Sequence, residues 1–261
     1  MSLAAAPRRT GAAPRAFHAV VVSFPGSNSE TELVRTLRDV SGLRTSLVGH
    51  LESVLPADTD LVALPGGFSF GDYLRPGALG RTSPIADAIR EHAARGGLVL
   101  GICNGFQLLT ELGLLPGALL PNASLRFESR DVFVRAEVAG PFTSRAGAVF
   151  RLPIAHGAGR YHADRATLAA LEAENRIAFR YAHADGRIDA AANPNGSAME
   201  IAGIYGGPAR NVLGMMPHPE RRSEPLHGGL DGKSLFDAML YAHPATAPED
   251  RAAFFSDPEL R

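Results

Sequence analysis

The chain has 261 residues, of which 45% are hydrophobic and 20% charged, and a formal net charge of -1. That length allows one large domain or two small ones with a substantial core, and the even charge balance argues against nucleic acid or an anionic membrane as the main partner. With one cysteine, Cys103, no internal disulfide can form, so a disulfide-stapled secreted fold is excluded and a reducing cytoplasm is the expected compartment.

Residues 1–16 carry three arginines, two prolines and no acid, and lack the apolar core of a secretory signal. They are expected to form a disordered tail, with an organelle-targeting peptide as the alternative. No later run approaches the roughly 18 apolar residues of a membrane span. Structure is expected from Phe17 onward. His18 to Phe24 is apolar and β-branched, as a buried parallel strand is, and Pro25-Gly26-Ser27-Asn28 breaks it. Asn28 or Ser29 then caps a helix through Leu33, Val34, Leu37 and Val40. Leu47-Val48 and Leu61 to Leu64 read as the next strands, the second ended by Pro65-Gly66-Gly67. A loop rich in Gly and aromatics, Phe68 to Gly80, precedes a helix from Pro84 to Ala94, a buried strand from Leu98 to Ile102 and a helix from Gly105 to Leu112. This alternation predicts a parallel sheet with helices on both faces.

The middle of the chain differs. Arg126 to Val138 and Val149 to Ile154 read as strands with no helix between them, and Thr167 to Glu174 as a short helix. Ile177 to Tyr181, followed by Asp185-Gly186, suggests a strand entering a hairpin. Asn211 to Met216 is a late strand and Gly232 to Tyr241 a last helix. Without repeats or a linker, the expectation is a single α/β domain over residues 17–261, with a mixed, mostly parallel sheet in a three-layer αβα arrangement and an antiparallel portion.

Gly101-Ile-Cys103-Asn-Gly105 lies between an apolar strand and a helix. This is the thiol counterpart of the G-x-S-x-G nucleophile elbow, whose tight turn leaves no room for side chains beside the nucleophile. The free N–H groups of the following helix favour thiolate over thiol, and the Asn104 N–H is placed to stabilise an oxyanion. A buried structural cysteine is the plain alternative. A thiol nucleophile needs a base, and among nine histidines His218 stands out, in Pro217-His218-Pro219-Glu220 just after the late strand. Glu220, two positions on, is placed to accept a ring N–H and fix the tautomer, although a proline-rich turn with a surface histidine has the same spelling. Pro65-Gly66-Gly67 offers a second N–H, at Gly67, for the oxyanion. It also reads as an ordinary strand-ending turn. His156, in His156-Gly-Ala-Gly159, reads equally well as a substrate contact or as a packed loop residue.

Together these three ordered motifs resemble the class I (triad) glutamine amidotransferases, over residues 17 to 240. The segments Phe24-Pro-Gly-Ser-Asn28, Pro65-Gly-Gly-Phe-Ser-Phe-Gly-Asp-Tyr-Leu-Arg75, Arg130-Asp131-Val132, Pro153-Ile-Ala-His156-Gly157 and Asn193-Pro-Asn-Gly-Ser197 narrow the similarity to the glutaminase subunits of phosphoribosylformylglycinamidine synthases. The resemblance implies a flavodoxin-like, type 1 glutamine amidotransferase domain. Cys103 would be the nucleophile on the glutamine amide, His218 the base and acid, and Glu220 its orienter, with Gly67 and Asn104 forming the oxyanion hole and Gln107 holding glutamine. It implies no metal or cofactor in this chain. ATP and magnesium belong to a separate PurL-type synthetase subunit, and a small PurS-type subunit bridges the two. Ser29 and Glu30 stand where the family often has a cysteine and an acid, and Ala158 where it usually has an acid. The rival readings are a glutaminase for another amidotransferase, a thiol-dependent α/β hydrolase of esters or lactones, and a binding subunit with a dead site.

Overall fold

The apolar runs of the first hundred residues become parallel strands. The computed structural model describes residues 16–242, so the expected tail lies, except for Ala16, outside the described residues. The strands are β1 (His18–Ser23), β2 (Arg44–Gly49), β3 (Leu61–Leu64), β4 (Leu98–Ile102), β5 (Ala118–Leu120), β6 (Glu128–Ala136), β7 (Val149–His156), β8 (Arg160–His162), β9 (Ile177–Ala182), β10 (Ile201–Gly206) and β11 (Val212–Met215). The helices are α1 (Glu30–Arg35), α2 (Ile85–Ala94), α3 (Asn104–Glu111), α4 (Arg165–Ala173) and α5 (Asp231–Ala242).

Nine strands form one mixed sheet in the order β2-β1-β3-β4-β11-β10-β9-β6-β7. The first five are mutually parallel and the remaining pairings are antiparallel. β1 is buried over five of its six residues, and β3, β4 and β11 throughout, as strands covered on both faces must be. The chain moves outward to β2 and then back past β1 to β3. Right-handed crossovers therefore put α1 on one face and α2 and α3 on the other. No helix of the described residues is long and apolar enough to cross a membrane.

Three local readings change. Ser29 stands at the start of α1 but makes no side-chain cap, because its hydroxyl is turned inward beside Gly66. Past Arg35 the chain continues in wider π turns over Thr36–Val40, keeping Leu33 and Leu37 buried. β9 enters no hairpin. The turn closes from His183 N–H to Arg187 O, but Asp189 then captures the His183 ring and the Ala191 N–H and coils the chain into a short helical turn. The true neighbour, β10, hides in sequence because Gly203 and Gly206 interrupt its apolar run. At Gly203 a Cβ would lie 2.8 Å from Gly214 O, so close strand approach demands glycine there.

Candidate active site

The parallel strands β1, β3, β4 and β11 all deliver their C-terminal ends to the same edge of the sheet, where open α/β sheets bind ligands. Cys103 leaves β4 with φ 51° and ψ -105°, a left-handed conformation that non-glycine residues rarely adopt. Its N–H is held by Met215 O of β11 at 2.8 Å, and its carbonyl accepts from Phe106 and Gln107 in the first turn of α3. The glycine frame has a steric cause. A Cβ on Gly101 would lie 2.6 Å from Gly105 O, and one on Gly105 would lie 2.2 Å from Leu64 O. Strand and helix touch through those two positions, so the strained elbow is fixed by packing on both sides.

His218 follows β11 and is anchored by its N–H to Pro153 O of β7 at 2.8 Å. Its Nδ1 meets Glu220 Oε1 at 2.5 Å, with both side chains buried. Glu220 is itself held through its carbonyl, which accepts from Thr36 Oγ1 and Ser223 Oγ. His218 Cε1 and Cys103 Cβ flank Gly66 from two sides, at 2.6 and 3.5 Å from where its Cβ would stand. The structure thus brings Cys103, His218 and Glu220 together, and His218 is no surface histidine. The thiol is turned toward Ala155 O at 3.7 Å, and His218 Nε2 is buried without a hydrogen-bond partner. Burial alone lowers the proton affinity of His218. The Glu220 carboxylate, and after it Cys103, more than offset that and raise it. A proton taken up at Nε2 is therefore held firmly enough to be handed on to a leaving group.

Gly67 takes φ 141°, and a Cβ there would lie 2.7 Å from Gly26 O, Ser27 Cα and Asn28 N. Neither its N–H nor that of Asn104 donates to a backbone acceptor among the described residues. Both are available to an oxyanion. Gln107 lines the same cleft, but its amide is already engaged. Its Oε1 accepts from Asn104 Nδ2 at 2.8 Å and its Nε2 donates to Ala158 O at 2.7 Å, tying α3 to the β7–β8 loop. The cleft measures about 160 Å³ and includes Cys103, Gln107, Asp72, His156 and Phe127. A larger one, about 360 Å³, lies by Val54 and Arg95 and contains no cysteine; its His92 is turned inward onto Leu98 O.

His156 proves to be both packed and in the cleft. Asn122 Nδ2 donates to Arg126 O and His156 O, and its Oδ1 accepts from Gly159 N–H. That orientation leaves Oδ1 facing His156 Nδ1 at 3.1 Å, so Nδ1 carries the proton and Nε2 is left as a buried acceptor without a partner. Burial, and then the charge of His218, push the His156 pKa down to about 4, so the ring is neutral. Asn122 carried no signal in sequence, since its role depends on contacts 34 and 37 residues away. Asp72, within the stretch from Pro65 to Arg75, likewise depends on a tertiary partner, Asn104, that its neighbours in sequence do not announce.

A model of the CobB/CobQ-like glutamine amidotransferase domain matches residues 16–229. The chain is 54% identical over 226 residues to the phosphoribosylformylglycinamidine synthase subunit PurQ of Rhodospirillum rubrum, covering 85% of this chain and 98% of that one. It is 53% identical over 224 residues to the same subunit of Bradyrhizobium diazoefficiens, covering 85% and 96%. Among solved structures, PurLQS of Thermotoga maritima contains a chain that is 43% identical and superimposes with a TM-score of 0.75, over 87% of this chain and 98% of that one. A glutamine amidotransferase of Thermotoga maritima, 17% identical at a TM-score of 0.52 over 92% and 93%, shares the fold alone. Matched over most of its length, the chain belongs to the CobB/CobQ-like glutamine amidotransferase family, in the branch of the PurQ subunits of phosphoribosylformylglycinamidine synthase.

Proposed function

We propose that the chain hydrolyses glutamine to glutamate and ammonia at Cys103. The ammonia passes to a PurL-type synthetase subunit, which uses ATP and magnesium to convert formylglycinamide ribonucleotide to the amidine in cytoplasmic purine biosynthesis. A PurS-type subunit completes the assembly. The observation that carries this reading is the meeting of a strained, helix-leading Cys103 with the buried His218–Glu220 pair at Gly66.

The roles follow from where each group sits. Cys103 Sγ forms a bond to the glutamine amide carbon while its proton passes to His218 Nε2. The amide oxygen becomes an oxyanion, accepted by the N–H groups of Gly67 and Asn104. Collapse breaks the C–N bond, and His218 returns the proton to nitrogen so that ammonia leaves and a glutamyl thioester remains. Water then adds to the thioester carbon, giving up its proton to His218, and the second collapse releases glutamate and restores the thiol. Glu220 keeps the ring in one tautomer throughout and balances its charge.

The test is Cys103→Ala in the reconstituted complex. Glutamine-dependent amidine synthesis should vanish, while synthesis from added ammonium salt persists. A variant that still consumes glutamine would remove Cys103 from the reaction.

A further inference from the structure

The triad deals with only one end of glutamine. The other end carries an α-ammonium and an α-carboxylate, and something must distinguish it from any other primary amide. Resting on the glutaminase reading above, we propose that Asp72 receives the α-ammonium group of glutamine and thereby selects an α-amino acid as substrate.

Asp72 is the one acid lining the cleft that holds Cys103, and the cleft's histidine, His156, is neutral. Its position is built rather than incidental. The loop that carries it takes positive φ at Phe70, Gly71, Asp72 and Leu74, a conformation paid for in backbone strain. Phe70 N–H to Pro25 O, Gly71 N–H to Phe68 O, and Ser69 N–H to Asn104 Oδ1 pin that loop against the site. Because Asn104 Oδ1 accepts from Ser69, Nδ2 must face the cleft, and its two protons go to Asp72 Oδ1 at 3.1 Å and Gln107 Oε1 at 2.8 Å. The residue whose N–H serves the oxyanion therefore also aims the carboxylate. The nearest cation in sequence, Arg75, is committed to Glu111 through two bonds of 2.6 and 2.7 Å. Asp72 thus enters the cleft with one neutral donor and no countercharge among the described residues, and burial pushes its pKa up to about 6. A carboxylate held partly desolvated and uncompensated beside a nucleophile is matched by a substrate cation.

The experiment compares glutamine with glutaramate, the same side-chain amide lacking the α-amino group, in the full synthetase complex. The wild type should prefer glutamine in kcat/KM. Asp72→Asn keeps the acceptor for Asn104 Nδ2 and removes only the charge. It should shrink that preference by at least about tenfold, through KM for glutamine. In the wild type, the same ratio should fall as pH drops through about 6, because protonation of Asp72 affects only the substrate with an ammonium. Cys103 and His156, the other ionisable groups in the cleft, act on both amides alike. An equal loss for both amides in Asp72→Asn, or a pH-independent ratio, would overturn the assignment and leave the glutaminase reading standing. Failure of the wild-type complex to hydrolyse either amide would overturn both.

Discussion

His218 Nδ1 and Glu220 Oε1 stand 2.5 Å apart with side chains only 2% and 0% exposed. Burying such a pair is no route to stability, since desolvation consumes most of the Coulombic gain. In the proposed reaction its use is to fix the imidazole and balance its charge. Glu220→Gln preserves size and can still accept a ring proton, but it removes the charge. The glutamine-dependent rate should fall by about 10²–10⁴-fold with little change in KM. The His218 ring, losing the first of the two charges that raise it, should titrate at lower pH. Steady-state kinetics and the histidine Cε1 proton resonance read the two effects separately, and an unchanged rate would remove Glu220 from the triad.

Two glycines near Cys103 should respond to alanine in opposite ways. At Gly66, whose φ is not positive, a methyl group meets side chains: His218 Cε1 at 2.6 Å and Ser29 Oγ at 2.9 Å. Gly66→Ala should fold with a near-normal Tm and lose most glutaminase activity, because the imidazole is displaced. At Gly105 the methyl meets backbone, Leu64 O at 2.2 Å, and α3 cannot yield without leaving the sheet. Gly105→Ala should destabilise by about 3 kcal/mol or more. Thermal melts set beside kcat distinguish the two, and equal behaviour would refute the distinction.

Such effects show what the sequence could and could not carry. The elbow was legible because Gly101, Cys103 and Gly105 are close in sequence and stand between an apolar strand and a helix. So were β1, β3, β4 and β11, as apolar runs bounded by turn residues. The meeting of Cys103 with His218 was not legible from spacing. It depends on β11 inserting beside β4, a pairing across more than a hundred residues that only the resemblance supplied. Ser29 looked like a helix cap because capping and site-lining residues share the same chemistry. The bonds of Gln107 to Asn104 and Ala158 are tertiary and left no mark in the sequence.

Asn122 shows the same limit in energetic form. It satisfies two carbonyls, one backbone N–H and one imidazole, all but the Arg126 carbonyl in the interior. Asn122→Ala strands those groups and should cost about 3 kcal/mol or more in urea denaturation, with the slope m unchanged. A loss below 1 kcal/mol would mean that water replaces the amide.

Asp72 and His156 face the same cleft with opposite pH responses. The His156 pKa is lowered to about 4, so between its ordinary value of 6.5 and that point the unfolded chain takes up a proton that the native state refuses. His156 therefore stabilises fully above pH 6.5, and as much as about 3 kcal/mol is lost as pH falls toward 4. Asp72 is raised from 3.8 to about 6, so its contribution is present below pH 3.8 and is lost as pH rises through 6. Solvent screening at this half-buried group reduces that contribution to about 1 kcal/mol. Between pH 4 and 6 the two slopes oppose, and each mutant should expose the other. Asp72→Asn should stabilise the ligand-free protein more at pH 7.5 than at pH 4.5, while His156→Gln should compare more favourably with the wild type at pH 4.5 than at pH 7.5. Denaturant midpoints at the two pH values, taken as differences so that packing losses cancel, check both signs. Parallel responses in the two variants would contradict the assigned protonation states.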